Sequence, residues 1–182
     1  MRRRLYAVSV ANVSDARTNT RAITGRMGRT LAIGDRLPDL TLPGPAGKPF
    51  RLHDLVGRKT LVIYFYPKDE TPGCTAQACG FRDAYEDFTA AGAEVIGISA
   101  DSASSHESFA QHHRLPFVLL SDPDGTARAA FGVKKTLGLL AGRVTFVIDR
   151  SGFVKHVFDS QIRFGKHVDE ALAMVKQLEK AA

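Results

Sequence analysis

The chain has 182 residues, 44% hydrophobic and 24% charged, with two cysteines, a balance that suits one globular domain with a sizeable core. Two cysteines are too few for a disulfide-stapled scaffold, and no run reaches the eighteen or so apolar residues of a membrane span. The formal net charge of +6 invites a nucleic-acid reading, but residues 1–30 hold seven arginines and one aspartate, so the rest of the chain is neutral and a poor partner for a polyanion.

Residues 1–30 show no sustained apolar period, are rich in Arg, Ser, Thr and Asn, and are expected to form a disordered extension. An Arg-rich, acid-poor leader also suits an organelle transit peptide or an exported segment, whereas a start at Met27 would begin a compact cytoplasmic protein at once. The cytoplasmic reading is the one adopted from sequence. A single domain is expected over 31–182.

"LPDLTLPGPAGKPFRLHDL" alternates in short pieces around Pro and Gly, as in a small hairpin. "TLVIYFY", Thr60 to Tyr66, is β-branched and aromatic and reads as a buried central strand ended by Pro67. Cys74 to Ala91 reads as one helix, with Phe81, Tyr85 and Phe88 on a face. "AEVIGISA" is a strand, Ser102 to His113 a helix, and "PFVLLSD" a strand closed by the turn Asp122 to Gly125. Thr126 to Phe131 is a short helix. "RVTFVID" and "FVKHVF" form a hairpin across Arg150 to Gly152, and Val168, Leu172, Val175 and Leu178 mark a C-terminal amphipathic helix. Alternating strands and helices, then a hairpin and a final helix, predict an α/β sandwich with a mixed sheet.

Both cysteines lie in "YFYPKDETPGCTAQACGF". Cys74 falls in the first turn of its helix behind Thr71-Pro72-Gly73, where unpaired backbone N–H groups and the helix dipole favour a thiolate. A free cysteine is often only a small buried residue. A Pro-Gly turn directly after a central strand, however, presents this one at the carboxyl end of the sheet, where α/β proteins keep their sites. Cys79 is five residues on. That spacing advances a helix by about 7.5 Å and turns it by about 140°, which separates the Cα atoms by roughly 8–9 Å. A disulfide needs about 7 Å or less, so the thiols can bond only if the helix unwinds. Cys79 as a plain core residue is the alternative. The spacing is not the C-x-x-C of a dithiol exchanger. His106, His112 and His113, the nearest imidazoles, lie on another helix, so no metal site is expected.

"YPKDETPGCT" resembles the active-site loop of peroxiredoxins, with Pro67, Thr71 and Cys74 in the family's spacing. "TPGCTAQACGFRD" is similar to the bacterioferritin-comigratory-protein or peroxiredoxin Q subgroup, and "GRVTFVID" resembles the later strand that opens with the family's arginine, here Arg143. The resemblance runs from about Leu31 to the C-terminus and implies a thioredoxin-like fold and a thiol-dependent peroxidase. Cys74 would be the peroxidatic cysteine. Thr71 would bond the thiolate and the peroxide, Pro67 would shield the site, and Arg143 would hold the thiolate ionised and polarise the O–O bond. The N–H groups of Gly73 and Cys74 would complete the cradle for hydrogen peroxide or an organic hydroperoxide. Cys79 would resolve the sulfenic acid as an intramolecular disulfide, and thioredoxin or a similar dithiol would reopen it. No cofactor is required, and a monomer is expected. The rival reading is a redox-sensing or chaperone-like protein that uses the same disulfide as a switch.

Overall fold

The computed structural model describes residues 29–135 and 141–181. The Arg-rich leader, including Met27, therefore lies outside the described residues except for Arg29 and Thr30. Those two already hold the domain: Arg29 pairs with Asp35 at 2.7 Å, and the Thr30 hydroxyl donates to the Gly132 carbonyl at 2.8 Å.

The predicted hairpin is β1, Thr41–Pro43, paired antiparallel with β2, Pro49–Arg51. The main sheet comprises β3 (Thr60–Phe65), β4 (Ala93–Ser99), β5 (Val118–Ser121), β6 (Val144–Ile148) and β7 (Val154–Asp159), in the order β5-β4-β3-β6-β7. Strands β3, β4 and β5 run parallel, while β6 and β7 are antiparallel additions, so the sheet is mixed as expected. β3 is central and buried along its whole length, which explains why its residues are apolar on both faces.

Strand alternation splits that burial between two layers. Val62 and Tyr64 of β3 face a cluster with Cys74, Phe81, Phe88, Phe109, Val168 and Val175, while Leu61, Ile63 and Phe65 face Phe131, Phe146, Ile96 and Leu120. The first layer is built by α1 (Pro72–Asp83), α2 (Tyr85–Ala90), α3 (Ala103–His113) and α5 (Phe164–Lys180). The second includes α4 (Thr126–Phe131). This is the thioredoxin-like arrangement of a mixed sheet flanked by helices. Gly97 of β4 is needed for its closeness: a Cβ there would lie 2.6 Å from the Leu119 side chain and 2.8 Å from the ring of Tyr64.

One element differs from expectation. The single helix predicted over Cys74 to Ala91 is two, broken at Ala84, whose φ of −96° and ψ of 4° leave the helical region. Phe81 and Phe88, on either side of the break, both lie in the core, with ring centroids 5.9 Å apart. The first helix also begins two residues before Cys74, at Pro72, because the fixed φ of proline suits a first helical position where no N–H is needed.

Candidate active site

Thr71 caps α1 in an extended conformation, and its carbonyl accepts the first helical bond from the Thr75 N–H at 2.8 Å. The buried positions of the helix are Cys74, Gln77, Ala78 and Phe81, an i, i+3, i+4, i+7 stripe facing the sheet. Cys74 is therefore carried inward, 1% exposed, while its backbone stays at the positive end of the helix. Cys79 lies off the stripe and is half-buried.

Arg143 precedes β6 and is 3% exposed. Its Nη2 donates to Cys74 Sγ at 3.3 Å, and its Nη1 donates to the side-chain oxygen of Gln77. The ring of Phe164, at the start of α5, covers the guanidinium at 4.8 Å. The same ring packs against Gly73, where a Cβ would sit 2.6 Å from it. A buried cation is thus fixed by three neighbours and aimed at sulfur. Such an arrangement strengthens any negative charge that forms there.

A second arginine stands behind the first. Arg128, on α4, donates to the carbonyls of Tyr66 and Gly142 and stacks over Phe65 at 5.6 Å. It ties the end of β3 to the residue before Arg143. Burial pushes its pKa down, opposed by the charges of Asp122 and Cys74.

The loop between β3 and α1 is held from α3. Asp69, 5% exposed, accepts hydrogen bonds from the Tyr66 hydroxyl at 2.7 Å and the Ser105 hydroxyl at 2.7 Å, and contacts His106 Nδ1 at 2.9 Å. Burial alone would raise the pKa of Asp69, but these bonds outweigh it and keep the carboxyl below its ordinary range. Glu70, at φ 58°, reaches His112 Nδ1 at 3.1 Å and His113 Nε2 at 3.0 Å. Across the site, His167 of α5 is buried. Its Nε2 donates to the Ser160 carbonyl and its Nδ1 accepts from the Thr145 hydroxyl, both at 2.8 Å. Burial, helped by the charge of Arg143, pushes its pKa down to about 4, so the ring is neutral at physiological pH.

The expected residues Thr71, Gly73, Cys74 and Arg143 are thus neighbours at one end of α1, and Pro67 lies half-buried at the start of the loop. The hydroxyl of Thr71 donates to the Lys68 carbonyl at 3.1 Å, so towards an incoming molecule it presents acceptor lone pairs. Cys79 shares the unbroken α1 with Cys74, and both thiols are free. Of the three histidines weighed for metal, His106 is committed to Asp69, while His112 and His113 converge on Glu70.

Sequence reasoning missed Gln77, Arg128 and Phe164. Gln77 could have been found, since it is three residues from Cys74 and so on the same helix face. Arg128 and Phe164 carried no local signal, because they approach from elements far along the chain. Arg82 donates to the His113 carbonyl at 2.8 Å and ties α1 to the end of α3.

The profile of the AhpC/TSA family matches residues 33–157. The chain belongs to the AhpC/TSA family. Peroxiredoxin Q, chloroplastic, of Sedum lineare is 49% identical over 147 residues, covering 80% of this chain and 78% of that protein. Among solved structures, peroxidoxin BcpB of Mycobacterium tuberculosis superposes with a TM-score of 0.74 at 41% identity, covering 80% of this chain and 97% of that one. The bacterioferritin comigratory protein of Xanthomonas campestris, described for its alkyl peroxide reduction activity, gives 0.71 at 33% identity, covering 80% and 99%. The chain is therefore a thiol-dependent peroxidase of the peroxiredoxin class, acting on a peroxide substrate with a thiol reductant. The cytoplasmic expectation gains no support, since the plant relatives are chloroplastic proteins. No helix among the described residues is long and apolar enough to cross a membrane.

Proposed function

We propose that Cys74 is the peroxidatic nucleophile and that Cys79 resolves it within the same chain. The observation that carries the reading is the buried Arg143 guanidinium, 3.3 Å from Cys74 Sγ at the start of α1. Attack of the Cys74 thiolate on the near oxygen of a peroxide forms an S–O bond and breaks the O–O bond. The electron pair leaves on the distal oxygen, which takes up a proton to give water or an alcohol. Arg143 and the free N–H groups of Gly73 and Cys74 lie where that charge develops. The oxygen of Thr71 accepts from the peroxide O–H, and Pro67 limits access of water. Phe164 adds an apolar wall beside Gly73, and the alkyl peroxide activity described for the Xanthomonas relative supports an organic hydroperoxide as one substrate.

Cys74 sulfenic acid then condenses with the Cys79 thiol, releasing water and forming the disulfide. The two Cα atoms stand about 8–9 Å apart on an ideal helix, so this step requires α1 to unwind from its N-terminal end. A dithiol reductant of the thioredoxin type restores both thiols by exchange. An intramolecular disulfide makes no demand for a second copy, and we infer a monomeric peroxidase. The arginine-rich leader and the chloroplastic relatives support an organelle-targeting role for the segment ahead of the domain. Failure of residues 1–30 to carry a fluorescent protein into isolated plastids would remove that role.

The test is NADPH-linked peroxide consumption with thioredoxin and its reductase for the wild-type chain, Cys74→Ser and Cys79→Ser in parallel. Cys74→Ser should be inactive. Cys79→Ser should react once per chain with peroxide and then stall. Full turnover in Cys74→Ser would reverse the two assignments, and disulfide-linked dimers as the sole oxidised product would exclude resolution within one chain.

A further inference from the structure

We propose that Glu70, His112 and His113 form a site for a divalent transition cation of the zinc class, pinning the loop ahead of Cys74 to the C-terminal end of α3. The three residues offer two imidazole nitrogens and a carboxylate oxygen, all within 4.8 Å of one another. Glu70 Oε1 is 3.1 Å from His112 Nδ1, and Oε2 is 3.0 Å from His113 Nε2. A tetrahedral ion with bonds of about 2.0–2.1 Å sets its ligand atoms roughly 3.4 Å apart, so side-chain adjustments are enough to admit it.

Consecutive residues on a helix normally diverge by about 100°. Here the two rings lie 4.3 Å apart and converge, because one uses its near nitrogen and the other its far nitrogen. His113 is further fixed by edge packing on Phe109 at 4.9 Å. Imidazole donors select zinc-like ions over magnesium or calcium, which take oxygen shells. The site also caps the last turn of an eleven-residue helix, whose negative dipole end favours a cation. The side chains of His112 and Glu70 are 69% and 50% exposed, which leaves a fourth position open to water and an entry path for the ion.

The consequence lies in where the site sits. Glu70 is four residues before Cys74, and the His113 carbonyl accepts from Arg82. The end of α3 therefore grips the stretch containing both cysteines from each side. A bound ion replaces hydrogen bonds at the front of that stretch by coordination bonds. Resting on the resolution reading above, it slows disulfide formation and leaves the first oxidation of Cys74 unchanged.

The site is tested on the full, tag-free chain carrying Cys74→Ser and Cys79→Ser, so that thiolates cannot compete for metal. Zinc is titrated by calorimetry, and cobalt is used for its visible absorption. One ion per chain with a tetrahedral cobalt spectrum is expected. Adding Glu70→Gln or His113→Ala should weaken binding by more than the roughly 10- to 100-fold that follows loss of an outer partner. Removing a histidine of β7 that pairs instead with Glu170 at 3.0 Å, by His156→Ala, should leave it unchanged. No binding, or binding indifferent to Glu70→Gln and His113→Ala, overturns the site. In the chain with both thiols, zinc should slow disulfide formation several-fold, and the slowing should vanish in Glu70→Gln. A zinc-bound chain that forms its disulfide at an unaltered rate overturns the pinning. A chain that forms no intramolecular disulfide with or without zinc refutes the resolution reading and leaves the metal site to the first titration.

Discussion

Replacing Arg143 by alanine removes the only side-chain donor described on Cys74 Sγ, at 3.3 Å, together with the partner of the buried oxygen of Gln77. Two unit charges at that distance interact by about 5 kcal/mol at an effective dielectric constant near 20. That figure is an upper bound for the rate, because negative charge moves from sulfur to the leaving oxygen and the guanidinium serves both ends of the transfer. Loss of one donor from a site that stabilises developing charge costs about 2.7–4 kcal/mol, and one hydrogen bond to a charged group contributes about 1.5–3 kcal/mol. A barrier increase of about 2–4 kcal/mol follows, or roughly 30- to 1000-fold in the oxidation rate. Stability should also fall, by about 1–3 kcal/mol, because Gln77 is left with a buried unpaired oxygen. The chain has no tryptophan, so the rate is best read by competition with horseradish peroxidase for hydrogen peroxide. Arg143→Lys should fall between the two, since a single ammonium cannot replace a fork that reaches Cys74 and Gln77 at once. A folded Arg143→Ala chain that oxidises within about threefold of wild type would refute the argument that this cation stabilises the transferred charge.

Arg128→Ala should act chiefly on stability, lowering the melting temperature with a smaller rate loss than Arg143→Ala, because its donors reach only the carbonyls of Tyr66 and Gly142; an equal or larger rate loss would place it at the chemistry. Cys79→Ser should accumulate Cys74 sulfenic acid and pass to sulfinic acid in excess peroxide, detectable by peptide mass, and resistance to overoxidation would deny Cys79 its role. In the oxidised wild type, amides from about Thr75 to Phe81 should exchange faster than in the reduced chain, and unchanged protection there would rule out unwinding. Stability should decline as pH falls from 6.5 towards 4, because the unfolded chain protonates His167 at its ordinary 6.5 while the folded one resists until about 4. That contribution, roughly 3 kcal/mol, is fully present above pH 6.5, and His167→Gln should flatten the corresponding slope in urea midpoints; an unaltered slope would mean other groups carry it.

Much of the fold was legible because its signals are local. The unbroken apolar run of Thr60–Phe65 marks a strand buried on both faces, and the Thr71-Pro72-Gly73 turn after it marks a helix start to within two residues of the observed one. The placement of Cys74 in the first turn follows from those two signals. So does its separation from Cys79, since helical geometry depends only on spacing. The break at Ala84 was not legible, because nothing in its neighbours opposes a helix, and an unbroken helix would equally set Phe81 and Phe88, seven residues apart, on one face.

What the sequence alone determined was where the candidate residues stand in the chain, with Cys74 and Cys79 five apart behind a Pro-Gly turn. What the tertiary structure decided was how they are held. Arg143 was expected at the thiol from a resemblance of motif, but Gln77 and Phe164, which fix its fork and cover it, meet it only once α1 and α5 pack on the same sheet face. Arg128 meets the Tyr66 carbonyl from far along the chain, and the local pair Tyr66 and Asp69 is completed by His106 of α3, so both arrangements depend on tertiary packing. The convergence of His112 and His113 on Glu70 is the plainest case. Adjacent histidines on an isolated helix point apart, and only the loop brought over them by β3 and α1 gives both rings one target. Periodicity and capping act over a few residues and can be read from order alone, whereas these contacts depend on the crossing of distant elements, which the chain settles only by burying its core.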